Sequence, residues 1–233
     1  MARLKRLVVA RVAHHVSQCA VADSAAFVDA ADHQAYVAAL RRCSQEHRVA
    51  VLAYALVHRQ VLLVLVPTEV ASLGRMVQAL TRQYVGPYNR RHARTGALWQ
   101  SRFCSAPVQS STDLLDCVLH VEQAPLRAGM VASALEYPWS SARHHAGLGG
   151  DVWLAAMPAD STYWRLGNTP FEREAAYRVR LEQPLDGATA RRIEATVLKG
   201  WALGSPSFLA EMGASAGRRP SPAPRGRPRL ERD

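Results

Sequence analysis

The chain has few of the features that would place it outside the cell or in a membrane. Its four cysteines (Cys19, Cys43, Cys104 and Cys117) are scattered, with no CxxC pair and no zinc-ligand spacing, so they read as reduced thiols of a cytoplasmic protein. No run is long and apolar enough to span a bilayer, and the basic N-terminus leads into no apolar stretch of signal-peptide length, so no membrane association is expected. No internal repeat is visible. Acidic residues are also scarce: 29 Lys+Arg against 19 Asp+Glu leave a net charge of +10, almost all of it from arginine. Arginine pairs bidentately with phosphate and stacks on bases, which favours a nucleic-acid partner, although a genome that spells its cations as arginine would leave the same surplus.

What is present is organised around Val49–Pro67. Two strand-length apolar runs, Val49–Val57 and Val61–Val66, flank His58-Arg59-Gln60, and Pro67 closes the second. This predicts a buried antiparallel hairpin whose polar break is either a plain turn or the rim of a site. Upstream, Leu7–Ala20 reads as a first strand; His14 and His15 leave it by opposite faces and cannot chelate one metal together. Asp32 is a plausible cap for a helix over Ala35–Arg48. Val70–Arg91 repeats apolar residues at steps of three and four, a second helix that Gly86-Pro87 should end or kink. A strand over Ala97–Val108, a helix over Ser111–Arg127 capped by Ser111 or Thr112, and a short helix after Tyr137-Pro138-Trp139 complete an order β-α-β-β-α-β-α.

That order predicts an α+β fold with a ferredoxin-like antiparallel sheet flanked by helices. It spans residues 1–149, followed by a helical extension over 150–212 and a disordered Arg/Pro-rich tail over 213–233. Short helices are expected at Phe171–Gln183, Ala188–Lys199 and Ser205–Met212.

Several ordered motifs carry a family resemblance. They are His14-His15-Val16-Ser17-Gln18, the run from Tyr88 to Phe103 (YNRRHARTGALWQSRF), Pro125-Leu126-Arg127-Ala128-Gly129, and Tyr137-Pro138-Trp139-Ser140-Ser141-Ala142. Together, from about Leu4 to Gly147, they resemble the REP-associated tyrosine transposases, a branch of the single-tyrosine HUH transposases. Gly200-Trp201-Ala202-Leu203-Gly204 and the tail resemble the extension some members carry.

The resemblance implies cleavage and rejoining of single-stranded DNA beside a hairpin by a tyrosine that forms a 5′-phosphotyrosine link. It also implies a divalent metal such as Mg²⁺ or Mn²⁺, held by two histidines at i and i+2 of the hairpin's second strand and by a polar residue four after the tyrosine. In this chain the histidine positions, counted back from Pro67, hold Gln60 and Leu62. The tyrosine position holds His120 and the third ligand Ala124. By this reading the metal site and nucleophile are lost, so no cofactor and no catalytic residue is expected. A two-residue slip that paired His58 with Gln60 would have to move the whole hairpin loop.

Two regions remain for DNA. Arg90, Arg91 and Arg94 sit just before Trp99, Arg102 and Phe103, a pattern suited to a backbone with a base stacked nearby; the alternative is that Trp99 and Phe103 are core. Arg225-Gly226-Arg227-Pro228-Arg229 resembles an AT-hook core, with a generic basic tail as the other reading. Ala188–Met212 also admits a helix-turn-helix reading. The expected function is a transposase-family DNA-binding protein that recognises hairpin or single-stranded DNA without cleaving it. The alternative is an active transposase or nuclease using His120 or another nucleophile. A further reading is a partner protein that pairs through its sheet with an active relative or as a homodimer.

Overall fold

The computed structural model describes residues 5–22 and 24–222. The chain runs β1 (Ala13–Cys19), α1 (Ala30–Glu46), β2 (Val49–Val57), β3 (Gln60–Pro67), α2 (Val70–Arg91) and β4 (Cys104–Val108). Then come α3 (Leu114–Glu122), α4 (Ala124–Arg127), α5 (Ala142–His145), α6 (Pro170–Glu182), α7 (Gly187–Lys199) and α8 (Pro206–Ala216). The four strands form one sheet in the order β2-β3-β1-β4, antiparallel at every step. The expected α+β, ferredoxin-like sheet flanked by helices is what the chain builds.

The hairpin forms as its pattern demands. Val57 pairs with Gln60, so His58 and Arg59 make a two-residue turn and Gln60 opens β3. Side chains alternate across the sheet. Val16, Tyr54, Leu56, Val61, Leu63 and Leu65 meet α1 and α2 on one face. Leu52, Ala55, Val57, Leu62 and Val64 meet α3, α6 and α7 on the other. Tyr177, Leu181 and Ile193 share that second core, so residues on both sides of the expected boundary at Gly149 are packed together.

Several boundaries differ from expectation for identifiable reasons. β1 begins only at Ala13, because Arg11 adopts a left-handed φ of 62° and turns the chain. The preceding residues instead pack Leu7 against Ala202 and Met212. α1 is capped by Asp29, which accepts from Asp32 N at 3.1 Å, while the Asp32 carboxylate reaches back to Val28 N at 2.9 Å. α2 passes through Pro87 without ending. Pro87 faces solvent, where the freed carbonyl can be hydrated, and the Tyr84 and Tyr88 hydroxyls on either side of it hold the helix to Ala26 O (2.5 Å) and Ala25 O (2.6 Å). The expected strand at Ala97–Val108 is interrupted at exposed Ser101-Arg102, leaving Trp99 with a single bridge to Ala20. The helix over Ser111–Arg127 is two helices, the first preceded by Asp113 rather than Ser111 or Thr112.

Disorder does not begin at Gly213. α8 runs to Ala216, Ala202 N donates to Pro220 O (2.8 Å), and Arg218 lies over the Trp201 ring. Both sheet edges are covered by the chain itself. Leu56 N bonds Trp139 O (3.0 Å) and Ala155 N bonds Val51 O (2.9 Å) along β2, while Leu203 pairs with Pro107 and Gln109 along β4. A dimer made by strand addition therefore finds no free edge at these positions.

One buried carboxylate ties the layers together. Glu122, fully buried at the end of α3, accepts hydrogen bonds from Ser141 Oγ (2.5 Å), Tyr177 Oη (2.5 Å) and His145 Nδ1 (2.6 Å). Replacing Glu122 with Ala strands three buried polar groups and should cost about 3–5 kcal/mol in urea unfolding. Tyr177→Phe removes one bond and should cost about 1–2 kcal/mol. Equal, small losses for both variants would count against this hub.

Candidate nucleic-acid interface

Strand periodicity puts His15 and Ser17 of β1 on the α3 side of the sheet. The register sets Ser17 opposite Leu62 and Cys19 opposite Gln60. His120 comes down from α3, Ala124 begins α4, and Arg127 and Met130 follow. α7 closes the opposite wall with Glu194, Val197 and Leu198, and the turn residues His58 and Arg59 stand at the mouth. The result is one cavity of about 400 Å³. All four positions singled out by the family pattern, Gln60, Leu62, His120 and Ala124, line it. The register anchored on Pro67 places these four positions around one cavity.

Their chemistry is not that of a metal centre. Leu62 and Ala124 offer no donor atom, and the Gln60 amide donates to Ser17 Oγ at 3.0 Å. Among the described residues no group of three His, Cys, Asp or Glu is placed to hold a metal ion. The residues present do not fit the Mg²⁺ or Mn²⁺ of the resembled family. No tyrosine lines the cavity. Tyr54 is bonded to Asp151 (2.6 Å), Tyr137 to Leu56 O (2.5 Å), and Tyr84, Tyr88 and Tyr177 to the partners given above.

Sequence reasoning missed His15. His14 and His15 are both buried, but their surroundings are opposite. His14 Nδ1 donates to Val12 O (2.8 Å) and its Nε2 accepts from Val9 N (3.3 Å). His15, 1% exposed, has no partner on either ring nitrogen. It lies edge-on to His120, with ring centroids 5.8 Å apart. His120 Nε2 accepts from Arg127 Nη2 (3.3 Å), and its Nδ1 has no partner. Burial lowers the pKa of His14 to about 4, of His15 to about 3 and of His120 to about 2; Arg127 adds to the effect on the last two. All three are neutral near pH 7. The available signal was the adjacent His-His pair in a strand, which forces one imidazole onto the site face.

The expected DNA-contacting arginines divide. Arg91 grips Asp29 and Asp32 (both 2.5 Å) and fastens α2 to the start of α1, with His92 also on Asp32 (3.0 Å). The neighbouring guanidinium holds the Asp29 carboxyl far below its usual range. Arg94 is bonded to Ser24 Oγ (2.9 Å), and Trp99 is core, packed against Tyr36 and Tyr84. Arg91, Arg94 and Trp99 thus each have a partner within the fold. Arg90 is exposed but lies off the cavity wall. Arg102 is exposed. It lines a second cavity of about 230 Å³ with Arg6, Phe103, Lys199, Gly200 and Arg218, and a third of about 530 Å³ with Arg82 and Gln18. The second cavity shares Val197 and Leu198 with the His15 cavity, so the basic surface leads into it. Arg225, Arg227 and Arg229 lie outside the described residues. No described helix is long and apolar enough to cross a membrane.

No family model and no curated protein matches the chain. Among solved structures, that of a REP-associated tyrosine transposase bound to a REP hairpin is similar, with a TM-score of 0.55 at 13% identity. The match covers 67% of this chain and 92% of that one. At such identity the likeness is one of fold.

The buried histidines give a pH test. Each takes up a proton on unfolding below its ordinary value of 6.5 but resists protonation in the fold until near its lowered value. Their contribution to stability is complete above pH 6.5 and is lost as pH falls. Between pH 7 and pH 5 each should cost roughly 1–2 kcal/mol of unfolding free energy. His15→Phe should remove one such share from the slope, and stability flat across this range would refute the buried neutral pair.

Proposed function

We propose that this protein binds DNA, recognising hairpin or single-stranded DNA on the face framed by α3, α4 and α7, and that it does not cleave the strand. Four substitutions meeting at one cavity carry this reading: glutamine, leucine, histidine and alanine where the resembled chemistry needs two histidines, a tyrosine and a polar ligand. A phosphoryl transfer needs a nucleophile and stabilisation of the charge that develops on phosphorus. With Leu62 and Ala124 in place no metal supplies the second. The fold likeness to a hairpin-bound transposase, the net charge of +10 and the basic surface around Arg102 support retained binding.

A second reading keeps an enzyme. His120 is neutral, and the lone pair of its Nε2 faces the Arg127 guanidinium at 3.3 Å, a cation that balances charge on a phosphate. It predicts a phosphohistidine adduct with DNA.

The two part in one experiment. Full-length protein is incubated with hairpin DNA bearing single-stranded flanks, with single strands and with duplex, at two salt concentrations, with and without Mg²⁺ or Mn²⁺. Binding should favour hairpin or single strand and fall about tenfold or more between roughly 50 and 200 mM salt, with no covalent adduct. An adduct that disappears in His120→Ala would establish the second reading instead. Arg102→Ala should weaken binding several-fold, whereas Arg91→Ala should lower stability and leave intrinsic affinity nearly unchanged.

A further inference from the structure

We propose that a groove beside α1, at the β2 edge of the sheet, is a stacking platform for the unpaired bases of a single DNA strand. Two tryptophans meet the bases, and arginines of α1 meet the backbone. This shares with the reading above only the partner, DNA. The groove lies on the α1 side of the sheet, apart from the cavity framed by α3, α4 and α7.

Two stacks of rings end at this groove. In the first, Phe27, His33 and Trp139 lie nearly parallel, with centroids 4.6 and 4.9 Å apart and interplanar angles of 23° and 17°. In the second, Trp153 lies over Tyr54 at 6.0 Å and 27°. Phe27, His33 and Tyr54 are buried, whereas Trp139 and Trp153 are only half-buried and line the groove. Each stack thus ends in one accessible ring, to which a base would add a further layer. Both rings are held in place. Leu56 N donates to Trp139 O (3.0 Å), and Trp153 Nε1 donates to Asp151 Oδ1 (3.0 Å). The other oxygen of that carboxylate accepts from Tyr54 Oη (2.6 Å). Rings already fixed lose little freedom when a ligand stacks on them.

The facing wall is α1. Gln34, Ala38, Arg41 and Gln45 recur at steps of four, three and four along one exposed stripe, a length of about 16 Å. With a volume of about 720 Å³, the groove suits a stretch of strand better than one base. Among the described residues Arg41 makes no side-chain hydrogen bond or ion pair, and Arg42 is bonded only to the neutral Gln83 amide (3.0 and 2.8 Å). Both positive charges therefore remain for phosphate. Asp151, the one carboxylate lining the groove, is taken by Trp153 and Tyr54. Arginines beside accessible aromatic rings hold single strands without reading their sequence. A basic peptide would meet like charge here, and a free anion would leave the indoles uncovered. In duplex DNA the base faces are already stacked on one another, so the platform selects unpaired strands.

The test uses the full-length protein with a short oligothymidylate and an abasic strand of equal length and charge. A third strand carries 5-iododeoxyuridine for near-ultraviolet cross-linking, with the sites mapped by mass spectrometry. The oligothymidylate should bind about tenfold or more tightly than the abasic strand, and cross-links should fall on Trp139 or Trp153. Trp153→Ala should remove most of that preference. Ala38→Glu places a carboxylate on the exposed wall, at a position where a helix tolerates it, and should weaken oligothymidylate binding about tenfold. It covers the case in which Trp153→Ala unfolds. Equal binding of the two strands, or unchanged binding in Ala38→Glu, would overturn the platform. Cross-links confined to the face framed by α3, α4 and α7 would overturn the platform and keep the DNA reading. Cross-links at the tryptophans, with hairpin binding untouched by Arg102→Ala, would keep the platform and overturn the reading that places DNA on the other face. No binding of any strand would overturn both.

Discussion

The buried carboxylate of Glu122 is the constraint on which the rest of the arrangement depends. A charge-capable group with no exposure must be paired, and its three partners come from two separate stretches: Ser141 and His145 at the two ends of α5, and Tyr177 of α6. Ser141 in turn receives the Tyr54 amide of β2 at its hydroxyl and donates its own amide to Tyr54 O, so the network reaches the sheet edge. α3 is thereby held in one position against β2 and β3. His120, two residues before Glu122, enters the cavity at the angle this anchoring sets. The same bonds draw α6 onto the core, which brings α7 across to form the far wall.

The register and helix placement bring Gln60, Leu62, His120 and Ala124 to one cavity, and two of the four, Leu62 and Ala124, bring no side-chain donor atom to it. Leu62 makes apolar contacts, Gln60 is spent on Ser17, and His120 is tied to Arg127. What is left unspent is hydrogen-bonding capacity on His15 and His120, together with positive charge outside.

Much of the frame was legible in the sequence. The hairpin, its register and the second helix follow from local alternation, the 3.6-residue stripe and one proline, all of which act over a few residues. Where local reasoning failed, a longer-range interaction had intervened. Two tyrosine hydroxyls anchored a helix that Pro87 alone would have broken, and α8 with Pro220 packed a segment whose composition suggested disorder. Asp29 and Asp32 pair with Arg91 across 62 and 59 residues of chain, a pairing that no local window reveals.

The sequence by itself determined the strand and helix order, and the absence of ligand atoms at Leu62 and Ala124, because residue identity alone settles whether a donor exists. Only the tertiary structure decided which of two adjacent histidines is satisfied and which is not. It also decided which arginines are bound internally, and that Arg102, Lys199 and Arg218 share one surface beside the cavity. The physical reason is that burial and partnership are properties of space. A side chain's chemistry is written at its own position, but whether that chemistry is still free depends on what the fold brings to it from elsewhere.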